Sequence, residues 1–538
     1  MALDKRYWKW DFALLLTLAA AVRLHGLGTP SFSHEEAVNA LIARNWLNTG
    51  HLTMPSGNVE PEGLLFQGIA ALIARLSGES EWWFRFPSVI CGILVTAWVY
   101  LWGSHWFNPR LGRWASLMYA ILPWPVAWGR MASYWTLQQT VFLAVAALAW
   151  QSLERHRMGH ILTAPPLVGG KRPPFSLRML RFSPLIPATT ALLLTSPLNA
   201  LALAFFPAYL IARLVWSWRR GGRDDCEFGR TGVYLISSGI VLALFGVVIW
   251  WLPPWLGIPL GVGGNALHTI IADSPDPVVS TISPLLALAA GVGCLMAATL
   301  GRPGWMLCSA LVVPALTLGL LGASAVRFAL CTAYPFFLMA VALPVSWGLA
   351  VSENWFRKFL IAPKRPRGRE IVGAAVLILA ALSIIGEVLM KEGGTEAVVG
   401  GGQRTPAGEV SDWRGMVGWV NPVSREAKVI TTDASLCEYY LARADYVFPY
   451  VYLPEIEKDP VTGTVVLKDA TSFLEVLNGL KEAVILVSEA KKRKVLLRVP
   501  EGERIRAALL AGESMVWQSP TESAIQWDHP GGVFSGNR

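Results

Sequence analysis

The 538-residue chain is 53% hydrophobic, 15% charged and carries a net charge of +9. Average soluble proteins are about 25% charged, and so few polar groups cannot cover one soluble globule of this size. The surplus positive charge sits in short loops between apolar runs, which assigns it to membrane orientation rather than to nucleic acid.

In chain order, apolar runs of about 20 residues, each able to cross a ~30 Å hydrocarbon layer, are expected at 12–27, 87–107, 112–129, 134–152, 184–199, 200–216, 231–252, 280–300, 304–323, 328–350 and 371–390. No cleavable signal pattern precedes the first run, which reads as a retained signal anchor. Lys and Arg then alternate by loop, as the positive-inside bias requires. One side holds Lys5, Arg6 and Lys9, Arg110 and Arg113, Arg155 to Arg181, Arg213 to Arg230, Arg302, and Arg357 to Arg369. That side carries 23 basic residues and the other about five. The expectation is a polytopic α-helical membrane protein of about eleven spans in the plasma membrane, with a cytoplasmic N-terminus and a membrane domain over residues 1–390. The 25 Trp suit anchoring at the headgroups, and the six Cys contain no CxxC pair, which supports neither a disulfide framework nor a zinc site.

The first external loop, 28–86, holds the most informative residues. Ser33 with Glu36 three residues later is a capping-box pattern, so a helix starts there. Capping accounts for Glu36 by itself, whereas Glu35 is free of that duty and is the better catalytic candidate. His34 beside them reads as a solvated loop residue or a substrate contact. Residues 61–77, opened by Pro61 and ended by Gly78, are expected as a helix lying in the outer interface rather than crossing it. Arg85, Arg130 with Tyr134, and Arg327 are ionisable or polar residues at external membrane edges. They snorkel to headgroups or, facing an acidic loop, form a site able to hold a phosphate. The external loop 253–279 adds His268, Asp273 and Asp276 as a second polar wall or an ordinary solvated loop.

Composition changes after residue 390. A Gly-rich linker over 391–410 leads into strand-like runs, Lys428-Val-Ile-Thr-Thr, Thr464-Val-Val-Leu and Ala483-Val-Ile-Leu-Val. They alternate with helical stretches near 411–420, 434–443 and 470–481, so a soluble extracytoplasmic α/β domain is expected over 411–538.

These motifs resemble the GT-C class of membrane glycosyltransferases, in the protein O-mannosyltransferase and lipid A aminoarabinose transferase branch. Glu35-Glu36-Ala37 is similar to that family's acidic pair at the start of a helix in the first external loop. Arg85-Phe86-Pro87-Ser88 resembles its Arg-x-Pro-Ser, Arg130 to Tyr134 the Arg after the third span, and Arg327-Phe328 with Pro335 a later Arg-Tyr…Pro element. The family's first acid is usually Asp, whereas this chain has Glu35. Asp412-Trp413-Arg414-Gly415 to Pro422 is similar to the start of the external domain of oligosaccharyltransferase catalytic subunits, but their Trp-Trp-Asp-Tyr-Gly motif is absent.

The resemblance implies transfer of a sugar from a polyprenyl-phosphate donor in the membrane lipid to a protein, lipid or glycan acceptor, with inversion. Glu35 and Glu36 are then the catalytic pair, with Glu35 as base. His34, Arg85, Arg130, Tyr134, Arg327, His268, Asp273 and Asp276 bind substrate. A divalent cation, Mg or Mn, held by Glu35 and a phosphate oxygen is one option. No Gly-rich nucleotide loop or base-stacking module is present, so neither a nucleotide cofactor nor a nucleic-acid partner is expected. The competing readings are a transporter or flippase of lipid-linked sugars, which predicts polar residues buried mid-span in paired broken helices, a polysaccharide polymerase or ligase, and a structural protein whose external domain binds partners.

Overall fold

The computed structural model describes residues 7–60, 62–154, 185–196, 199–219, 284–319, 323–361, 412–421, 427–448, 457–468, 470–480, 482–488, 513–518 and 522–528. Helix α1 (Tyr7–Leu24) is followed by α2 (His34–Thr49), α3 (Leu64–Ser77) and α4 (Glu81–Trp106). There follow α5 (Pro109–Ile121), α6 (Pro123–Trp128), α7 (Trp135–Glu154), α8 (Leu185–Thr195), α9 (Asn199–Ala202) and α10 (Phe205–Arg219). After these come α11 (Pro284–Thr299), α12 (Arg302–Gly319) and the long α13 (Ala323–Ile361).

Two described segments are long and apolar enough to cross a bilayer, Glu81–Trp106 with mean hydropathy 1.6 and Thr332–Val351 with 1.7. The other described helices at expected spans are shorter or less apolar. The expected span 112–129 is broken where Leu122 turns extended (ψ 142°) ahead of Pro123, which cannot continue the helix. Expected spans 231–252 and 371–390 lie outside the described residues. Helix α3, at 14 residues, is about 21 Å long and too short to cross.

Outward faces are apolar. Leu14, Leu76 and Leu295 are 70%, 77% and 74% exposed. A soluble surface shows such residues singly; here Leu72 on α3 and Leu288 on α11 stand beside them, and Leu316 repeats the pattern on α12, as lipid-facing positions do. Inside, aromatic rings tie α4, α7 and α13 together: Trp106 stands 5.1 Å from Trp150, and Phe142 5.9 Å from Phe336. Helices α4 and α5 meet backbone to backbone. A Cβ on Gly112 would fall 2.5 Å from the Tyr100 carbonyl oxygen, so only glycine fits there.

The C-terminal elements are α14 (Trp413–Val420), β1 (Lys428–Thr431), α15 (Ala434–Leu441), β2 (Tyr446–Val447), β3 (Val465–Val466), α16 (Ala470–Gly479), β4 (Glu482–Ser488), β5 (Glu513–Gln518) and β6 (Glu522–Asp528). They form a six-stranded sheet ordered β3-β2-β1-β4-β6-β5, parallel from β3 to β4 and antiparallel through β6 and β5. Strand alternation sorts its residues. Ile430, Ile485 and Ile525 join Phe473 and Leu477 in one core, while Val429, Val484, Leu486 and Ala524 face the other way, towards Trp413, Leu436 and Cys437. That second layer continues into the first external loop through the Phe32 and Tyr439 rings, 4.8 Å apart.

Candidate active site

Helix α2 opens as the sequence pattern requires. Ser33 accepts from the Glu36 amide, Glu36 returns a bond to the Ser33 amide, and the helix closes on Gly50 at φ 78°, a left-handed position that suits glycine. The Glu36 carboxylate does more than cap. Its Oε1 accepts from Arg85 Nε at 2.7 Å and from the Ala132 amide at 2.8 Å. Its Oε2 accepts from Arg85 Nη2 at 3.1 Å and from the Ser33 amide at 2.9 Å. Burial alone pushes this carboxyl up, but the Arg85 charge and these four donors overcome it and hold Glu36 below its ordinary value. One turn on, Asn39 donates to the Ala132 carbonyl at 3.0 Å, so α2 grips the loop between α6 and α7 at two points.

The same pairing occupies Arg85. Its two remaining Nη1 protons go to the carbonyls of Leu27 and Pro30, both at 2.9 Å, and its second Nη2 proton to Ser31 at 3.2 Å. All five guanidinium donors are therefore taken, and none is left for a phosphate. Arg130 is also turned inward, to the carbonyls of Val22 at 2.9 Å and Gly26 at 3.3 Å, closing the end of α1. Burial, with Arg85 and Arg23 nearby, pulls the Arg130 guanidinium down to about 10. Arg23, which the sequence reading passed over inside an apolar run, is fully buried and donates to the carbonyls of Ala19, Tyr119, Ala120 and Pro125. These three arginines knit α1, α4 and the 119–130 turn. Glu36 and Arg85, expected as catalytic and phosphate-binding, pair with one another.

Glu35 points elsewhere. Its Oε1 accepts from the Trp135 indole N–H at 2.9 Å, at the start of α7. Next along the same loop wall, the buried Tyr134 hydroxyl donates to Glu62 Oε2 at 2.6 Å. Burial, and then the charges of Glu62, Glu35 and Glu60, push the Tyr134 phenol well up, which gathers three carboxylates around one ring. Gly63 (φ 81°) makes room for that ring, since a Cβ there would stand 2.9 Å from Tyr134 Cδ1. Gly63 also donates its amide to the Thr195 carbonyl at 2.8 Å, seating the loop on the end of α8. Deeper in the bundle, Gln138 donates to Asn199 at 3.0 Å and to Thr332 on α13.

Glu60 and Glu62 belong to no motif that singles them out in the sequence; they flank Pro61 just ahead of an apolar helix. Burial, then the Glu62 and Glu35 charges, raises the Glu60 carboxyl to about 7. Burial likewise raises Glu62. The folded protein holds the Glu60 proton up to about pH 7, while an unfolded chain releases it near the ordinary value of 4.5. Stability is therefore lost as pH rises through that window. Glu60→Gln is expected to unfold at the wild-type temperature near pH 4.5 and at a higher temperature at pH 8. A lower midpoint than wild type at pH 8 would contradict this assignment.

His34 does not face the carboxylate group; its Nδ1 lies 2.9 Å from Asp433 of the C-terminal sheet unit. Arg327 sits in the first turns of α13, and its side chain is outside the described residues, as are His268, Asp273 and Asp276. Among the described residues no three His, Cys, Asp or Glu side chains have metal-holding geometry, Glu35 included.

Residues 61–218, from within the Glu60-Pro61-Glu62 stretch into α10, match the family described as dolichyl-phosphate-mannose-protein mannosyltransferase. Solved structures extend the likeness over nearly the whole chain. The Archaeoglobus fulgidus oligosaccharyltransferase AglB, in complex with an inhibitory peptide and a dolichol-phosphate, superposes with a TM-score of 0.55 at 14% identity, covering 96% of this chain and 74% of that one. ArnT from Cupriavidus metallidurans in the apo state gives a TM-score of 0.51 at 14% identity, covering 97% and 98%. This is the GT-C fold. The A. fulgidus enzyme has also been solved in complex with Zn and sulfate, with a TM-score of 0.54 at 14% identity and 96% and 73% covered. No curated protein sequence matches the chain. Within the GT-C fold, the family match takes in the carboxylate turn (Glu62), Arg85, Arg130 and Tyr134, while Glu35 and Glu36 stand just before it.

Proposed function

We propose that the protein is an inverting glycosyltransferase, moving a sugar from a polyprenyl-phosphate carrier to a hydroxyl of a protein, lipid or glycan acceptor at the extracytoplasmic face of the plasma membrane. The observation that carries this reading is the placement of Glu35, on a GT-C fold, against Trp135 at the start of α7 and apart from the Glu36–Arg85 pair. Glu35 takes the acceptor proton as that oxygen attacks the anomeric carbon. The bond from that carbon to the phosphate oxygen breaks, and polyprenyl phosphate leaves with the electron pair. A phosphate leaving group needs little protonation, so one base suffices, and a single displacement inverts the centre.

A phosphate still needs a cation; all five Arg85 donors are taken by Glu36 and carbonyls, and Arg130 is turned inward to the Val22 and Gly26 carbonyls with two of its five. Arg327 is the remaining candidate from the sequence. Gln138 meets Thr332, and four residues on Phe142 meets Phe336, so α7 and α13 run parallel at this contact. Five residues before Thr332, the Arg327 backbone is about 7.5 Å further up its helix, which supports a place near the level of Ser133 to Trp135. A cation carried on the first turns of α13, near the level of the base, would suit a donor whose phosphate lies at the membrane edge and whose sugar stands in the water beyond.

Purified protein in liposomes with radiolabelled polyprenyl-phosphate sugar and a hydroxyl acceptor tests the reading. Label in the acceptor, with release of unlabelled polyprenyl phosphate, is expected. Movement of the intact donor across the bilayer without transfer would replace the enzyme with a flippase.

A further inference from the structure

Two segments carry the carboxylates: the first turn of α2, with Glu35, and the turn 54–62, with Glu60 and Glu62. Both are held from the C-terminal sheet unit. His34, immediately before Glu35, places Nδ1 2.9 Å and 3.2 Å from the two oxygens of Asp433. The Asp433 side chain is only 3% exposed, whereas that of His34 is 55% exposed. Asp433 is fixed in turn, since it caps α15 by accepting from the Leu436 amide at 3.2 Å. Next to this pair, the Phe32 amide donates to the Tyr440 hydroxyl at 2.7 Å. On the other segment, the Ser56 amide donates to the Val461 carbonyl at 3.0 Å, and Asn58 and the Ser56 hydroxyl donate to the Pro460 carbonyl. The 459–464 turn that supplies those carbonyls is built on buried Asp459, which accepts from the amides of Val461 and Thr462 and from the Thr462 hydroxyl.

We propose that the C-terminal sheet unit is a positioning part of the active site, with Asp433 acting through His34 to fix the direction of Glu35, and the Asp459 turn fixing Glu60 and Glu62. The inference rests on the sugar-transfer reading for its catalytic consequence. A first helical turn frays unless its side chains are tied, and His34 ties this one from the position adjacent to the base. An ionised Asp433 accepts only, so His34 carries its proton on Nδ1 and donates. Asn at position 34 can present an amide N–H near the same place, and Ala cannot.

A ~1 Å misplacement of a reacting group costs up to about a hundredfold in rate. His34→Ala and Asp433→Ala are each expected to lower kcat about ten- to a hundredfold with little change in KM for the lipid donor. The double variant should be no worse than either single one, and His34→Asn should recover much of the loss. Amide exchange over residues 33–37 should rise in His34→Ala. A rise in KM at unchanged kcat would make His34 a substrate contact and overturn the proposal, as would wild-type kcat. Additive losses in the double variant would also overturn it. Amide exchange needs no turnover, so if the wild type fails to transfer sugar, unchanged protection over 33–37 in His34→Ala still refutes the positioning tie, while raised protection loss sustains it.

Discussion

Arg85→Met is expected to destabilise the protein by about 3–5 kcal/mol, the range for removing one partner of a buried ion pair. Met roughly conserves the apolar volume but strands the Glu36 carboxylate, which is 2% exposed, and leaves the carbonyls of Leu27, Pro30 and Ser31 without their donors. Domains are stable by only about 5–15 kcal/mol in total, so this one change removes a large share. Arg85→Lys should rescue little, because an ammonium offers three donors from a point where the native contacts need five in a planar fork. Pairing Arg85→Met with Glu36→Gln should recover part of the loss, since no buried charge is then stranded. Thermal unfolding of the detergent-solubilised variants checks the series. A single Arg85→Met variant within about 1 kcal/mol of wild type would show the pair to be dispensable.

Glu35→Gln is expected to do the reverse, leaving the fold intact and removing turnover. Glu35 is half-buried, and its Oε1 bond from Trp135 Nε1 is one that a glutamine oxygen can keep. Surface-type changes of this kind stay within about 0.5 kcal/mol. A positioned base contributes about 10²–10⁴-fold, which is roughly 3–5 kcal/mol in the transition state. The neighbouring carboxylates are poor substitutes. Glu62 accepts the Tyr134 hydroxyl, and Glu60 keeps its proton up to about pH 7. The contrast between positions 35 and 36, adjacent and chemically identical, separates chemistry from architecture: one variant should unfold normally and fail to turn over, the other should unfold well below the wild-type temperature.

Much of this was legible in the chain. The capping box at Ser33 and Glu36, the helix over 61–77 and the strand at Lys428 all announce themselves through local patterns of a few residues. The sidedness of Lys and Arg also marked Arg85 and Arg130 as unusual. Their partners were not legible, because a backbone carbonyl has no letter in a sequence, and Glu36 lies 49 positions from Arg85. Arg23 was hidden for the same reason, as one cation in an apolar run whose four acceptors are all main-chain oxygens. Glu60-Pro61-Glu62 did carry a signal, two acids flanking a proline just ahead of an apolar helix, but only the folded loop brings them to Tyr134. The hairpin of β5 and β6 escaped because its short runs, such as Glu522-Ser-Ala-Ile-Gln-Trp-Asp, mix polar and apolar residues on a sheet edge.

The most direct measurement is the initial rate at which purified Glu35→Gln protein moves radiolabelled sugar from polyprenyl phosphate to an acceptor, beside wild-type protein of equal unfolding temperature. Transfer by the wild type and a fall of at least about a hundredfold in the variant is the expected result. Equal rates in the two proteins would mean that the carboxylate beside Trp135 is not the base.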